Sequence, residues 1–164
     1  MQFEFPYQIV TFLDEEPRLN EPVYYGDHGW YPQMAIKRRF KLDGITEDKF
    51  VEELKDFFSK TKMPVISTGD LIKPERMPVQ VIHIDNQTEL KNLHEDLLNN
   101  FRAKIISRYP DREGKNYYPH VTAEYDGRFV IPADEYTNKS FEINNIWLLK
   151  DVDDENSLAY RKIR

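Results

Sequence analysis

Short apolar or alternating stretches along the chain predict strands, and two longer stretches have the apolar spacing of a helix. The strands are predicted at residues 7–13, 31–42, 64–72 (broken by Gly69), 79–84, 141–149 and 158–163, with one more that follows Pro119 in the stretch 117–125. One helix is predicted over residues 46–60, with Thr46 as its N-cap, and a second from a Thr88 cap to about residue 107.

This order of elements predicts an α+β fold with a mostly antiparallel sheet and helices on its outer faces. The opposite sheet faces are then free to form a central groove. Residues 14–29 are rich in Pro, Gly, Asn, Asp and Glu and have no helical periodicity. We therefore expect a long irregular connection there, at the border of a site.

Composition narrows the class of protein. A chain of 164 residues fits one domain, and the absence of cysteine removes disulfides, thiolate nucleophiles and cysteine-type zinc sites. The formal charge of -6 argues against extended non-specific binding of polyanions such as nucleic acids. Binding of a small phosphate-bearing ligand in a local basic pocket is compatible with this charge. No apolar run is long enough to span a membrane, and the first residues lack a basic region ahead of an apolar stretch. We expect a cytoplasmic, monomeric protein with no membrane segment, metal or cofactor.

The stretch YYPHVTAEY, residues 117–125, places His120 and Thr122 on one face of a strand. Residues 30–36, WYPQMAI, align without gaps with residues 117–123, YYPHVTA. Gln33 stands at the position of His120, and Ala35 at the position of Thr122. The alignment predicts a single domain, residues 1–164, built from two lobes that are related by an internal repeat.

With these motifs the sequence resembles the 2H phosphoesterases, which include 2′-5′ RNA ligase-like proteins and RNA 2′,3′-cyclic phosphodiesterases. The matching features are PHVTAEY, Phe40 seven residues after Gln33, the VIHI strand before TELKNLHEDL, and the late FEINNIWLL stretch. The resemblance implies two pseudo-symmetric lobes, each contributing a His-x-Thr/Ser strand to one groove. It implies that His120 is a general acid or base, that Thr122 binds phosphate, and that the ligand is an RNA terminus or a small nucleotide phosphodiester.

The first motif departs from the family pattern in a way that affects catalysis. Gln33 forms hydrogen bonds but cannot titrate, and Ala35 has no polar side-chain atom. Because a positioned acid or base contributes about 10²- to 10⁴-fold in rate, we expect impaired turnover. Three hypotheses stay open: a weak phosphodiesterase or 2′-5′ ligase-like enzyme, an inactive nucleotide- or RNA-binding module, and a scaffold for a protein partner.

Several flanking residues are candidates for the same groove. Strand alternation predicts that Lys37 and Arg39 share the face of Gln33, where they contact phosphate or where Lys37 pairs with Glu124. Tyr31 and Tyr118, or their neighbours Trp30 and Tyr117, either stack on a base or pack at strand starts. Among the other histidines, His83 faces the groove and is a candidate replacement for the missing histidine, His28 is on a solvated loop, and His94 is predicted at the surface.

Overall fold

The computed structural model describes residues 4–25, 29–152 and 157–164, and these ranges contain two α-helices and thirteen strands. The helices are α1 (Glu47–Lys60) and α2 (Gln87–Phe101). The strands are β1 (Tyr7–Phe12), β2 (Tyr24–Tyr25), β3 (Gly29–Trp30), β4 (Gln33–Leu42), β5 (Val65–Ile72), β6 (Val81–Ile84), β7 (Ile105–Ser107), β8 (His120–Thr122), β9 (Glu124–Tyr125), β10 (Arg128–Phe129), β11 (Ser140–Glu142), β12 (Trp147–Asp151) and β13 (Ser157–Lys162). The predicted α+β class is confirmed.

One large antiparallel sheet organises the fold. Its strand order within the described ranges is β11-β5-β6-β8-β4-β1-β12-β13, and β7 also pairs with β4. β8 and β4 lie at the centre, with three strands beyond each of them. The two smaller sheets are the hairpins β2–β3 and β9–β10.

The sheet is strongly curved, as the link from β11 to β12 demonstrates. Only residues 143–146 connect these strands, which are six strand spacings apart in the sheet. In a flat sheet that separation is about 29 Å, whereas the five residue steps from 142 to 147 span at most about 18 Å. The sheet therefore curls, and the link carries two buried residues, Ile143 and Ile146, into the main core.

Both helices pack on the same face of the sheet. Thr46 caps α1 by accepting a hydrogen bond from the Lys49 backbone N–H, as predicted, and Phe50, Leu54 and Phe58 are buried beneath the helix. α2 buries a stripe that includes Leu93 and Leu97 in the same core. Burial of these apolar faces holds the helices on the sheet and leaves the opposite sheet face available for a site.

A smaller apolar cluster covers part of that opposite face. Its strand residues are Val10, Phe12, Trp147, Leu149 and Ala159, and Val23 and Tyr31 pack over them. The connection between β1 and β4 supplies this cover: the Trp147 indole N–H donates to Glu16, and the Val23 backbone N–H donates to Ser157. The open face is consequently closed over β1, β12 and β13.

The sequence-based limits of α2 were wrong at both ends. α2 ends at Phe101 and not near residue 107, because Ile105–Ser107 pair with β4 as β7. The β-branched pair at 105 and 106 suits a strand better than a last helical turn. At its start, α2 follows Asn86 rather than Thr88, and the Asn86 side chain accepts from the Ser67 backbone N–H instead of capping the helix.

The predicted strand at 141–149 is two strands, β11 and β12. Asn145 accounts for the interruption, because its buried carboxamide accepts from the Phe12 backbone N–H and donates to the Phe12 carbonyl. That side chain thus satisfies backbone groups of β1 where strand pairing would otherwise be needed. Over the part of the chain that is described, no helix is long and apolar enough to cross a bilayer.

Candidate functional site

The two aligned stretches lie side by side at the centre of the sheet. β4 and β8 are antiparallel neighbours, with Met34 as the Cα partner of Val121. Both of these side chains are fully buried in the helix-side core. Because side chains alternate along a strand, their neighbours point to the opposite, open face. This strip, which we call the seam, consists of Gln33, Ala35, His120 and Thr122, all partly exposed.

His120 is held in one tautomer by the backbone. Its Nδ1 lies 2.8 Å from the Tyr118 carbonyl oxygen, which only accepts, so Nδ1 carries the proton and Nε2 keeps its lone pair. The Tyr118 ring stacks on the imidazole at a centroid distance of 5.4 Å. Burial lowers the pKa of His120 to about 4; the Tyr118 carbonyl opposes this shift and the charge of Arg38 adds to it. The imidazole is therefore a neutral proton acceptor at pH 7.

Gln33 presents polar atoms that no described residue satisfies. Both its Nε2 and its Oε1 are buried without a hydrogen-bond partner among the described residues. A buried amide left unpaired costs about 1–3 kcal/mol, so the Gln33 side chain is favoured to turn toward any group that can pair with it. Ala35 contributes only its backbone carbonyl, which accepts from the Tyr117 hydroxyl at 2.6 Å.

His83 lies beside His120, on the side away from Gln33. In the β6–β8 pair, His83 is the Cα partner of His120, so both side chains project from the same sheet face. The His83 Nδ1 is 3.1 Å from the Tyr118 hydroxyl. Tyr118 thus bridges the two histidines, with its ring on one and its hydroxyl on the other. On the other flank, the β4 residue directly across from His120 is Ala35, and Gln33 is across from Thr122.

Lys37 does not share the face of Gln33, contrary to the alternation argument. The β1–β4 pairing contains two register shifts, one on each side of the Ile9–Lys37 pair, and these bulges turn the side chain inward. Lys37 is 2 % exposed and its Nζ pairs with Glu113 at 2.6 Å. The expected Lys37–Glu124 pair is absent, because Glu124 accepts from the Gln80 backbone N–H.

The two arginines that follow Lys37 have different partners. Arg39 forms an ion pair with Asp151 on β12, over the covered part of the sheet. Arg38 is the cation whose charge acts on His120, and sequence reasoning missed it. The run Lys-Arg-Arg at 37–39 indicates a basic segment, but only the bulges determine which cation faces the seam.

His94 is buried and not at the surface as predicted. It is 1 % exposed, and its ring stacks on Tyr117 at 4.0 Å between centroids. Its Nδ1 donates to the Ile36 carbonyl and its Nε2 accepts from the Gly114 backbone N–H. Burial is the largest influence on its pKa, which is lowered. His94 therefore fastens the segment before β8 to α2 and β4.

The aromatic candidates other than Tyr118 have packing contacts. Tyr31 meets Phe12 edge-on and its hydroxyl donates to Glu21 at 2.8 Å. Tyr117 is buried between His94 and the Ala35 carbonyl, and Trp30 packs against Tyr125 at the Gln33 end of β4. His28, the remaining histidine, lies outside the described residues.

These observations define a class of fold, an antiparallel α+β sheet with two aligned motif strands paired at its centre. Solved structures of other proteins share this fold. A phosphoesterase aligns over 97% of this chain and 94% of its own, with a TM-score of 0.53 and 12% identity. Escherichia coli LigT, complexed with 3′-AMP, aligns over 98% of this chain and 95% of its own, with a TM-score of 0.55 and 14% identity.

The 2H phosphoesterase-like fold expected from the sequence is thereby confirmed over nearly the whole chain. No protein-family model matches the chain, and no curated protein matches its sequence.

Proposed function

We propose that the seam binds the phosphate of an RNA end or of a small nucleotide phosphodiester, 2′,3′-cyclic or 2′-5′. The observation that carries the proposal is the pairing of Met34 with Val121, since it sets His120, Thr122 and Gln33 around one point on the open sheet face. The Thr122 hydroxyl and the Gln33 amide donate to phosphate oxygens. The LigT fold, which accommodates 3′-AMP in that protein, supports a nucleotide as the ligand.

His120 is the proton acceptor in this proposal. Its neutral Nε2 takes a proton from water as the water oxygen attacks phosphorus, and the P–O2′ bond of a cyclic phosphate breaks. The departing oxygen then needs a proton, which a carboxamide at position 33 cannot supply. Protonation falls to solvent, so turnover is slower by about 10²- to 10⁴-fold than with two positioned groups.

His83 does not occupy the position that the reaction lacks. An in-line displacement needs its acid and base on opposite sides of phosphorus, and His83 and Gln33 are on β6 and β4, the two different neighbours of β8. With its Nδ1 on the Tyr118 hydroxyl, His83 acts instead as a positioning residue for the ring that covers His120.

A second candidate function, nucleotide binding without turnover, is favoured by Gln33 and Ala35 themselves. The carboxamide retains the capacity to bind phosphate oxygens while the acid is lost. Both functions use the same seam and differ in rate alone.

Hydrolysis of 2′,3′-cyclic AMP by four proteins separates them: the native chain, His120→Asn, Gln33→His/Ala35→Thr, and the triple variant. We expect slow native turnover, background rates for His120→Asn, and a gain of about 10²-fold or more for the double variant. The triple variant is the control and must lose that gain. Equal background rates in all four proteins remove the enzyme function.

Thermal unfolding with 3′-AMP tests binding independently of turnover. A ligand at about 100 times its Kd stabilises the folded state by about 2.7 kcal/mol, which raises the melting temperature. Absence of any shift at millimolar 3′-AMP removes the nucleotide-binding function as well and leaves the scaffold hypothesis.

A further inference from the structure

Three arginine side chains converge on the ring of Tyr109. The guanidinium carbons of Arg38, Arg108 and Arg112 lie 5.6, 5.1 and 5.1 Å from the ring centroid. Arg108 and Arg112 are exposed, and Tyr109 is partly exposed. We call these four residues the arginine cluster. It places three positive charges around one aromatic ring at the protein surface.

The arginine cluster continues the seam along the same strand edge. β8 pairs with β4 at Met34, β7 pairs with β4 at Phe40–Leu42, and residues 108–119 run between them. Arg38 lies on β4 three residues beyond Ala35, about 10 Å at the usual strand rise. Its charge already acts on His120. A nucleic-acid backbone with one phosphate at His120 can therefore follow the edge of β4 and bring its next phosphates to the arginine cluster.

The two acids of the segment that carries Arg108 and Arg112 do not neutralise these two arginines. Glu113 is engaged by the buried Lys37 at 2.6 Å, and Asp111 is the other acid between residues 105 and 118. Within the described ranges, neither Arg108 nor Arg112 forms an ion pair with a carboxylate. In a protein of net charge -6, this is a local concentration of positive charge, and bound anions relieve the repulsion among its members.

We infer that the arginine cluster binds a second phosphate of a single-stranded RNA whose end occupies the seam. The inference rests on the proposed function and specifies its substrate as an oligonucleotide rather than a mononucleotide. Guanidinium groups match phosphate oxygens with paired hydrogen bonds, and an aromatic ring among them offers a stacking surface for a base. Continuity with the phosphate-binding seam favours RNA over an acidic peptide.

The test measures equilibrium binding of 3′-AMP and of a four-nucleotide RNA with a 3′-phosphate, at several salt concentrations. Proteins are the native chain, Arg108→Gln/Arg112→Gln, and the control Lys55→Gln/Lys62→Gln. The control removes the same charge at exposed positions on and just after α1, on the helix face. Arg38 is left intact because its charge acts on His120.

We expect the native chain to bind the RNA about tenfold or more tightly than 3′-AMP, with a steeper salt dependence. The arginine variant should lose most of that advantage, and its salt slope should be shallower by about 0.7 for each phosphate that the arginines no longer neutralise. Its affinity for 3′-AMP should match that of the control. Far-ultraviolet circular dichroism and melting curves establish that each variant is folded.

Equal affinity of the native chain for both ligands, or an arginine variant that behaves like the control, overturns the inference and leaves the seam proposal in place. Competition by a glutamate oligomer of equal charge, as effective as the RNA itself, overturns the assignment to RNA. Failure of both 3′-AMP and the RNA to bind refutes the proposed function and this inference together.

Discussion

His120 is a histidine whose neighbours favour the uncharged ring. The Tyr118 carbonyl fixes the proton on Nδ1, the Tyr118 ring covers one side, and Arg38 repels a second proton. An imidazole with a pKa of about 4 accepts protons weakly, yet it stays unprotonated across the physiological range. A bound phosphate reverses part of this effect because its negative charge favours the protonated ring.

Acid sensitivity of the fold is the first expected consequence. Between pH 7 and 4 the unfolded chain, with a His pKa of about 6.5, takes up a proton that folded His120 refuses, so stability falls over that window. Below about pH 4 this contribution levels off. Urea unfolding at pH 7.5 and pH 5 should show a smaller loss for His120→Asn than for the native chain.

An identical pH dependence in the two proteins would contradict the lowered pKa of His120. His94, whose pKa is also lowered by burial, contributes in the same direction and accounts for residual sensitivity in the variant.

Strand alternation was a sufficient guide to individual residues only where the strands are regular. It predicts the common face of Gln33 and Ala35, and of His120 and Thr122, because a period of two applies around Met34 and Val121. It fails for Lys37, which lies between two bulges, whereas Arg39 lies over the predicted face but is held by Asp151 away from the seam. Strand alternation also did not predict that Tyr118 bridges His83 and His120. That contact joins two different segments, β6 and the residues before β8, and alternation describes only one strand at a time.

At the scale of elements, β4 carries both the seam and the structure that supports it. Its first half faces the open side through Gln33 and Ala35, and its bulged middle sends Lys37 toward α2 and Glu113. Burial lowers the pKa of Lys37, and Glu113 opposes that change. This ion pair fastens residues 108–118 to β4 and so keeps the arginine cluster next to the seam.

Removing the carboxylate from this pair should be costly. Glu113→Gln leaves Lys37 buried without a counter-charge, and we expect a loss of about 3 kcal/mol in the free energy of unfolding. Lys37→Met/Glu113→Gln should lose less, since an apolar side chain suits the site. Asp56→Asn, in the exposed Lys60–Asp56 pair, is the control and should cost below about 0.5 kcal/mol. Urea denaturation measures all three, and a Glu113→Gln cost no larger than the control's would refute the buried-pair argument.

The elements that sequence predicted least well are those whose ends depend on distant partners. β7 forms because β4 offers an edge to residues 105–107, and the 143–146 link exists because Asn145 bonds to β1. Neither partner is visible in a local window of sequence. By contrast, α1 was predicted to within one residue, since its cap and apolar spacing are local.

On the scale of the whole molecule, the two sheet faces serve different purposes. The helix face holds the main core, and the opposite face is shared between the small apolar cluster and the seam. The order of elements and the motif copies predict the fold class, because both arise from the entire chain. The asymmetry of the open face was not predictable, as it depends on how residues 14–23 fold back over β1 and β12.

The small apolar cluster should contribute substantially to stability. Phe12 is fully buried and meets Tyr31 and Trp147 edge-on, so Phe12→Ala should lower the free energy of unfolding by about 3–5 kcal/mol. Phe129→Ala, at a position 56% exposed, is the matched control and should change it by less than about 0.5 kcal/mol. Similar costs measured by urea unfolding would mean that the cover over β1 is not tightly packed.

The fold-back of residues 14–23 also sets an upper bound on ligand width. Val23 and Tyr31 pack over Phe12 and close one side of the seam. A ligand therefore enters from the side of β6, and large substituents on the ligand fit only on that side. Deletion of residues 14–23 would open the seam on both sides, so that it could bind a wider ligand. The same deletion would expose the Trp147 indole and its apolar neighbours to water. Residues 14–23 therefore govern both the ligand size that the seam accepts and the resistance of the protein to aggregation.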